Sequence, residues 1–193
     1  MADAFSSGTL AGAGSFRCEG CGFALALQER DELPECPECG GDRFRRALLF
    51  EPEAAPHGHH DVEGAPGWLS AARERVDAPG AYLAFAGEDR AEVVALEPGW
   101  TRVGRSLSAD LRFDDPTVSR RHALVYHEPG VGARILDDRS LNGVFVNGER
   151  VDLAELADGD EIAVGRYTLF FLRSLGEPAE RPAPSSAPPV IAT

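Results

Sequence analysis

Between residues 80 and 173 the chain alternates short apolar runs with turn residues. The runs are AYLAF at 81–85, EVVAL at 92–96, TRVG at 101–104, DLRF at 110–113, HALVY at 122–126, ARIL at 133–136, VFV at 144–146, EIAV at 161–164 and TLFFL at 168–172. Pro-Gly at 98–99 and 129–130, Asn-Gly at 142–143 and 147–148, and Asp-Gly at 158–159 punctuate them. Short strands at such regular spacing predict an all-β sandwich or barrel, and no long helical periodicity competes with that reading. The span is long enough for one two-sheet core. Just before it, Trp68, Leu69, Ala72 and Val76 fall near helical spacing, which predicts a short helix at about 67–77.

The rest of the chain divides by composition. Residues 1–15 are small and polar and are expected to be flexible. Residues 16–50 hold all four cysteines. Residues 51–77 form an acidic linker whose first part, EPEAAPHGHHDVEGAP, carries three prolines and the His57, His59 and His60 run, read as solvated. The sandwich is assigned to 78–174, and the proline-rich segment 175–193 is expected to be disordered.

Composition narrows the chemistry. All 19 basic residues are arginine, and asparagine occurs only at 142 and 147, each time before glycine. The bias matches a GC-rich genome, so the rare residues carry more information than the common ones. A net charge of −13 argues against binding nucleic acid or an anionic membrane surface. No apolar run approaches the ~20 residues of a membrane helix, and the N-terminus lacks the pattern of a secretory signal. A monomeric cytoplasmic protein is expected.

In that compartment four cysteines point to metal rather than to disulfides. Cys18-Glu-Gly-Cys21 and Cys36-Pro-Glu-Cys39 are two CxxC pairs separated by 14 residues. Each pair can grip one side of a tetrahedral ion, with Gly22 and Gly40 expected to let backbone N–H groups approach sulfur. Soft thiolates favour Zn²⁺. Four of them leave no open position for water, so one structural zinc is expected. The module resembles a zinc ribbon, with two knuckles clamping the ion. Five arginines against seven acids within 16–50 make it a poor nucleic-acid binder and a better protein-docking element.

One ordered set of residues stands out in the β region: Gly104-Arg105-Ser106, Val118-Ser119-Arg120-Arg121-His122, Ser140-Leu141-Asn142-Gly143 and Val146-Asn147-Gly148. Through these elements the stretch from VGRSLSADLRFDDPTVSRRHALV to LADGDEIAVGRYTLFF resembles a forkhead-associated (FHA) domain of bacterial, actinobacterial-like type. The resemblance covers about half the chain. It implies an 11-strand β-sandwich whose loops at one end bind phosphothreonine peptides. It also implies a role for each matching residue. Arg105 would contact the phosphate, Ser119 and Arg120 would add contacts, and Asn142 would hold the peptide backbone. His122 would brace the loops, and Gly104 and Gly143 would permit tight turns.

The residue chemistry is independently suitable. A phosphothreonine carries nearly two negative charges and three acceptor oxygens, and a guanidinium can donate two hydrogen bonds to it at once. One position departs from the family. Leu141 stands where many FHA domains have threonine, so one side-chain donor is missing and Arg120 or backbone N–H groups must compensate. Asn147-Gly148 reads as a type I′ hairpin turn.

Three function classes follow. The leading one is a non-enzymatic adaptor that binds phosphothreonine-containing proteins and works with Ser/Thr protein kinases. A second is a phosphorylation-independent scaffold that uses the sandwich or the ribbon, favoured by Leu141. An enzyme is not expected, because no acid-oriented triad or nucleophile elbow accompanies Ser119 and His122. Thr9 lies in SSGTLAG, which lacks the acidic, threonine-rich setting of the self-binding phosphothreonine found in some bacterial relatives.

Overall fold

The computed structural model describes residues 4–47, 66–76, 78–87 and 89–174. The His57–His60 run and the proline-rich segment from 175 onward lie outside the described residues.

Four strands build the N-terminal module: β1 (Ala4–Ser6), β2 (Gly14–Cys18), β3 (Ala24–Leu27) and β4 (Arg43–Arg46). They form one antiparallel sheet in the order β1-β4-β2-β3. Phe16, Leu25, Leu33 and Phe44 make its small core. Within the segment expected to be flexible, residues 4–6 instead join the sheet: Phe5 pairs with Phe44 and packs edge-on against Phe16 at 5.2 Å. Three residues carry too little periodicity to announce a strand.

Helix α1 (Gly67–Glu74) precedes eleven strands: β5 (Gly80–Ala86), β6 (Ala91–Ala95), β7 (Gly99–Gly104), β8 (Leu111–Arg112), β9 (Ala123–Glu128), β10 (Gly132–Asp137), β11 (Val144–Val146), β12 (Glu149–Val151), β13 (Leu153–Leu156), β14 (Glu161–Val164) and β15 (Tyr167–Ser174). They make a five-stranded sheet, β13-β10-β9-β7-β8, facing a six-stranded one, β12-β11-β14-β15-β5-β6. All pairings are antiparallel except β7 with β8. Val103, Val125 and Ile135 from the first sheet meet Leu83, Ile162, Leu169 and Phe171 from the second. The alternation of buried and less buried residues along β9 follows from this one-sided burial.

β15 breaks that alternation, since Leu169 to Leu172 are all buried. Leu169 and Phe171 face the sandwich core, whereas Phe170 and Leu172 lie under α1 with its Leu69 and Ala72. Trp68 closes this second layer, edge-on to Phe170 at 5.6 Å. A strand covered on both faces needs a continuous apolar run, which is what TLFFL supplies. The Asn147-Gly148 turn has both residues at positive φ, as a type I′ turn requires. The sandwich thereby carries the loops after β7, β8 and β10 to one end, facing the ribbon.

Candidate functional site

The loop-bearing end is held by a chain of buried hydrogen bonds. His122 is fully buried. Its Nδ1 accepts from the Ser119 amide at 3.0 Å, so the ring proton sits on Nε2, which donates to the Gly143 carbonyl at 3.1 Å. Burial holds its pKa below the ordinary histidine value. One imidazole therefore ties the 119–122 loop to the 140–143 loop. Gly143 sits at φ +87 and donates to Ser140 Oγ, whose own amide is held by Asp137. Gly104 differs from the tight turn expected for it: it lies at the end of β7, where a Cβ would come 2.4 Å from the Arg120 carbonyl oxygen. Close backbone approach is what requires glycine there. Across that approach Arg105 N donates to Ser119 O and Ser106 N to Arg120 O.

Sequence reasoning missed a second brace. Asp115 is buried and accepts from both the amide and the hydroxyl of Thr117, while Arg166 pairs with its other oxygen at 2.8 Å. Asp-Pro-Thr is the local signal for such a side-chain-closed turn.

On this frame Arg105, Ser119, Arg120 and Leu141 line one cleft of about 980 Å³ between the loops and the ribbon. Asn142 does not line it; its side chain is bonded to the Thr117 carbonyl and to the N–H and C=O of Ala24. Ser119 is buried, and its hydroxyl accepts from Leu141 N at 3.0 Å, which leaves its hydrogen free to donate. The Leu141 amide is thereby spent, and cannot replace the missing threonine hydroxyl. Arg120 remains exposed in the cleft. Arg121, though it also lines the cleft, is held in a two-bond pair with Asp138 at 2.7 Å. The Arg105 side chain is only 6% exposed, and its Nε finds no hydrogen-bond partner. Its Nη1 already faces an anion, lying 3.5 Å from Asp31 Oδ2, so the guanidinium is suited to an anion contact at the cleft.

Cys18, Cys21, Cys36 and Cys39 form the second constellation, their Sγ atoms all within 4.8 Å of one another. The Cys18–Cys39 and Cys21–Cys36 separations are 3.6 and 3.5 Å. A tetrahedral ion with metal–sulfur bonds of about 2.3 Å places its sulfurs about 3.8 Å apart, so the four fit one metal ion. Burial pushes the Cys21 and Cys36 thiols up, and the Gly41 amide lowers Cys39. A cation among them would offset that desolvation. Gly22 and Gly40, at φ +80 and +70, are followed by the amides that approach sulfur as expected, Phe23 to Cys21 and Gly41 to Cys39, while their own amides close the knuckles on the Cys18 and Cys36 carbonyls at 2.8 Å.

The FHA domain family model matches residues 101–165, and a zinc-ribbon containing domain matches residues 1–48. Over 76 residues the chain is 46% identical to an ABC transporter ATP-binding/permease protein of Mycobacterium tuberculosis, covering 39% of this chain and 9% of that one. Over 77 residues it is 47% identical to the glycogen accumulation regulator GarA of Mycolicibacterium smegmatis, covering 40% of this chain and 48% of that one. These matches span a tenth and a half of those two relatives. An oxoglutarate dehydrogenase inhibitor of Corynebacterium jeikeium is 33% identical over 156 residues, 78% of this chain and 99% of that one. With two of its modules matched and a relative covered almost end to end, the chain belongs to the family of FHA-domain proteins, and carries a zinc ribbon ahead of its FHA sandwich.

Proposed function

We propose that this chain is a phosphothreonine-peptide-binding adaptor in Ser/Thr kinase signalling, with one structural Zn²⁺ shaping a docking ribbon. The observation that carries the reading is the meeting of Arg105, Ser119 and Arg120 in one cleft, with a buried Arg105 donor left unmet. Phosphate oxygens would supply its acceptor, Ser119 Oγ–H would donate, and Arg120 would cover the side where Leu141 offers no hydroxyl. Asn142 would hold the peptide main chain. Cys18, Cys21, Cys36 and Cys39 would hold the zinc, whose chemistry is cross-linking alone.

Turnover is not part of this reading. His122 faces the Ser119 amide instead of its hydroxyl, and its other nitrogen is tied to Gly143, so His122 is not placed to act as a base on Ser119. The names of GarA and of the corynebacterial relative describe regulation and inhibition.

Hydrogen bonds to charged groups contribute about 1.5–3 kcal/mol each. Arg105→Ala is therefore expected to weaken phosphothreonine-peptide binding by about tenfold or more. Calorimetric titration with phosphorylated and dephosphorylated forms of one peptide checks this. Equal affinity for the two forms would exclude the adaptor reading.

A further inference from the structure

β3 is the edge strand of the ribbon sheet, and its outer edge does not face solvent. An antiparallel edge strand leaves the N–H and C=O of alternate residues unpaired. Here Asn142 takes both main-chain groups of Ala24: its Oδ1 accepts from Ala24 N at 2.9 Å, and its Nδ2 donates to Ala24 O at 2.9 Å. Two residues on, Ala26 N donates to the Pro116 carbonyl at 2.7 Å. Ala24 is fully buried at this contact.

The chain then turns. Asp31 N donates to Gln28 O, Gln28 N donates to Asp31 Oδ2 at 2.7 Å, and the carboxylate is set 3.5 Å from Arg105 Nη1. One continuous segment, Ala24–Asp31, thus engages Asn142 through its main chain and Arg105 through an anion. These are the two residues assigned above to peptide backbone and phosphate. The fit at the anion is incomplete: Asp31 Oδ2 is shared with Gln28, and Arg105 Nε stays unpartnered. Three phosphate oxygens would satisfy what this carboxylate leaves unmet. Thr9 takes no part, its amide and carbonyl being paired with Ser6 and Leu33 inside the ribbon.

We infer that Ala24–Asp31 is a built-in, unphosphorylated occupant of the peptide track. A phosphothreonine peptide must displace the β3 edge from Asn142 and Asp31 from Arg105 before it seats. The inference rests on the phosphothreonine reading and adds that the full chain masks the affinity of its own loops.

The test uses the full metal-loaded chain, Asp31→Asn, and Asp31→Asn combined with Ala26→Pro. Proline at 26 removes the donor to Pro116 and is tolerated on an edge strand. One phosphothreonine peptide and its dephosphorylated form are titrated into each. Losing the carboxylate alone is expected to tighten phosphopeptide binding by about fivefold, and the double variant is expected to bind tighter still. In the wild-type chain the Ala24 and Ala26 amides are expected to exchange slowly, and faster once phosphopeptide saturates the site. This exchange readout holds even where Ala26→Pro fails to fold. Equal affinities together with unchanged exchange would overturn the inference and leave the phosphothreonine reading standing. Absence of phosphorylation-dependent binding by every form would overturn that reading, and this inference with it.

Discussion

His122 links the loops through two hydrogen bonds that only the neutral ring can make together. Its pKa lies below 6.5 in the fold because burial disfavours the imidazolium. Unfolded, the ring titrates near 6.5. Between the folded and unfolded values the unfolded chain binds more protons, so stability rises with pH there. The stabilisation is fully present above about pH 6.5, and is lost as pH falls toward the folded value. The urea midpoint of the wild-type chain is expected to drop between pH 7.5 and pH 5.5, and less steeply in His122→Gln, which cannot titrate. At this scale Arg105, Ser119, His122 and Asn142 were legible because their order is specific to the family and their side chains carry distinctive chemistry. Asp115 was not, since bracing a loop through its own backbone leaves no periodic trace. Nor could spacing show that Asn142 meets Ala24, a contact that spans 118 positions.

Among the elements, the strands read correctly are those with a buried face. β12 and β13 escaped, and both are end strands, one of each sheet. Glu149 and Leu153 are exposed on them, so ERV and LAEL show no alternation of apolar and polar positions. β1 escaped for the same reason at the edge of the ribbon sheet. β15 and α1 were both visible, yet only the structure shows that one explains the other. The ribbon core is small, with Phe16, Leu25 and Phe44 its largest fully buried members apart from Leu33. A module of this size is expected to need a metal for folding. Chelation is expected to collapse the amide dispersion of residues 14–46 in a nitrogen–proton correlation spectrum while the signals of β5–β15 persist. Retention of the ribbon signals after full metal removal would show that the sheet stands without the ion.

As a whole molecule, the protein combines a net charge of −13 with a cleft lined by Arg105, Arg112, Arg120, Arg121 and Arg139. Three of these face an acidic partner, Arg105 with Asp31, Arg112 with Asp114 and Arg121 with Asp138. With no lysine in the chain, every cationic side chain of this recess is a guanidinium. The recess exists only because the sandwich loops and the ribbon close on each other, an arrangement that the separate sequence patterns of the two modules do not encode. No described helix is long and apolar enough to cross a membrane. Phosphate contact at Arg105 is the core of the function proposed above. The most direct measurement is the Arg105 Nε–H resonance of the full chain during titration with a phosphothreonine peptide. A downfield shift that saturates with the phosphorylated peptide and is absent with its dephosphorylated form is the predicted result. An Arg105 resonance indifferent to phosphorylation, at peptide concentrations that saturate binding, would rule out a phosphate contact at Arg105.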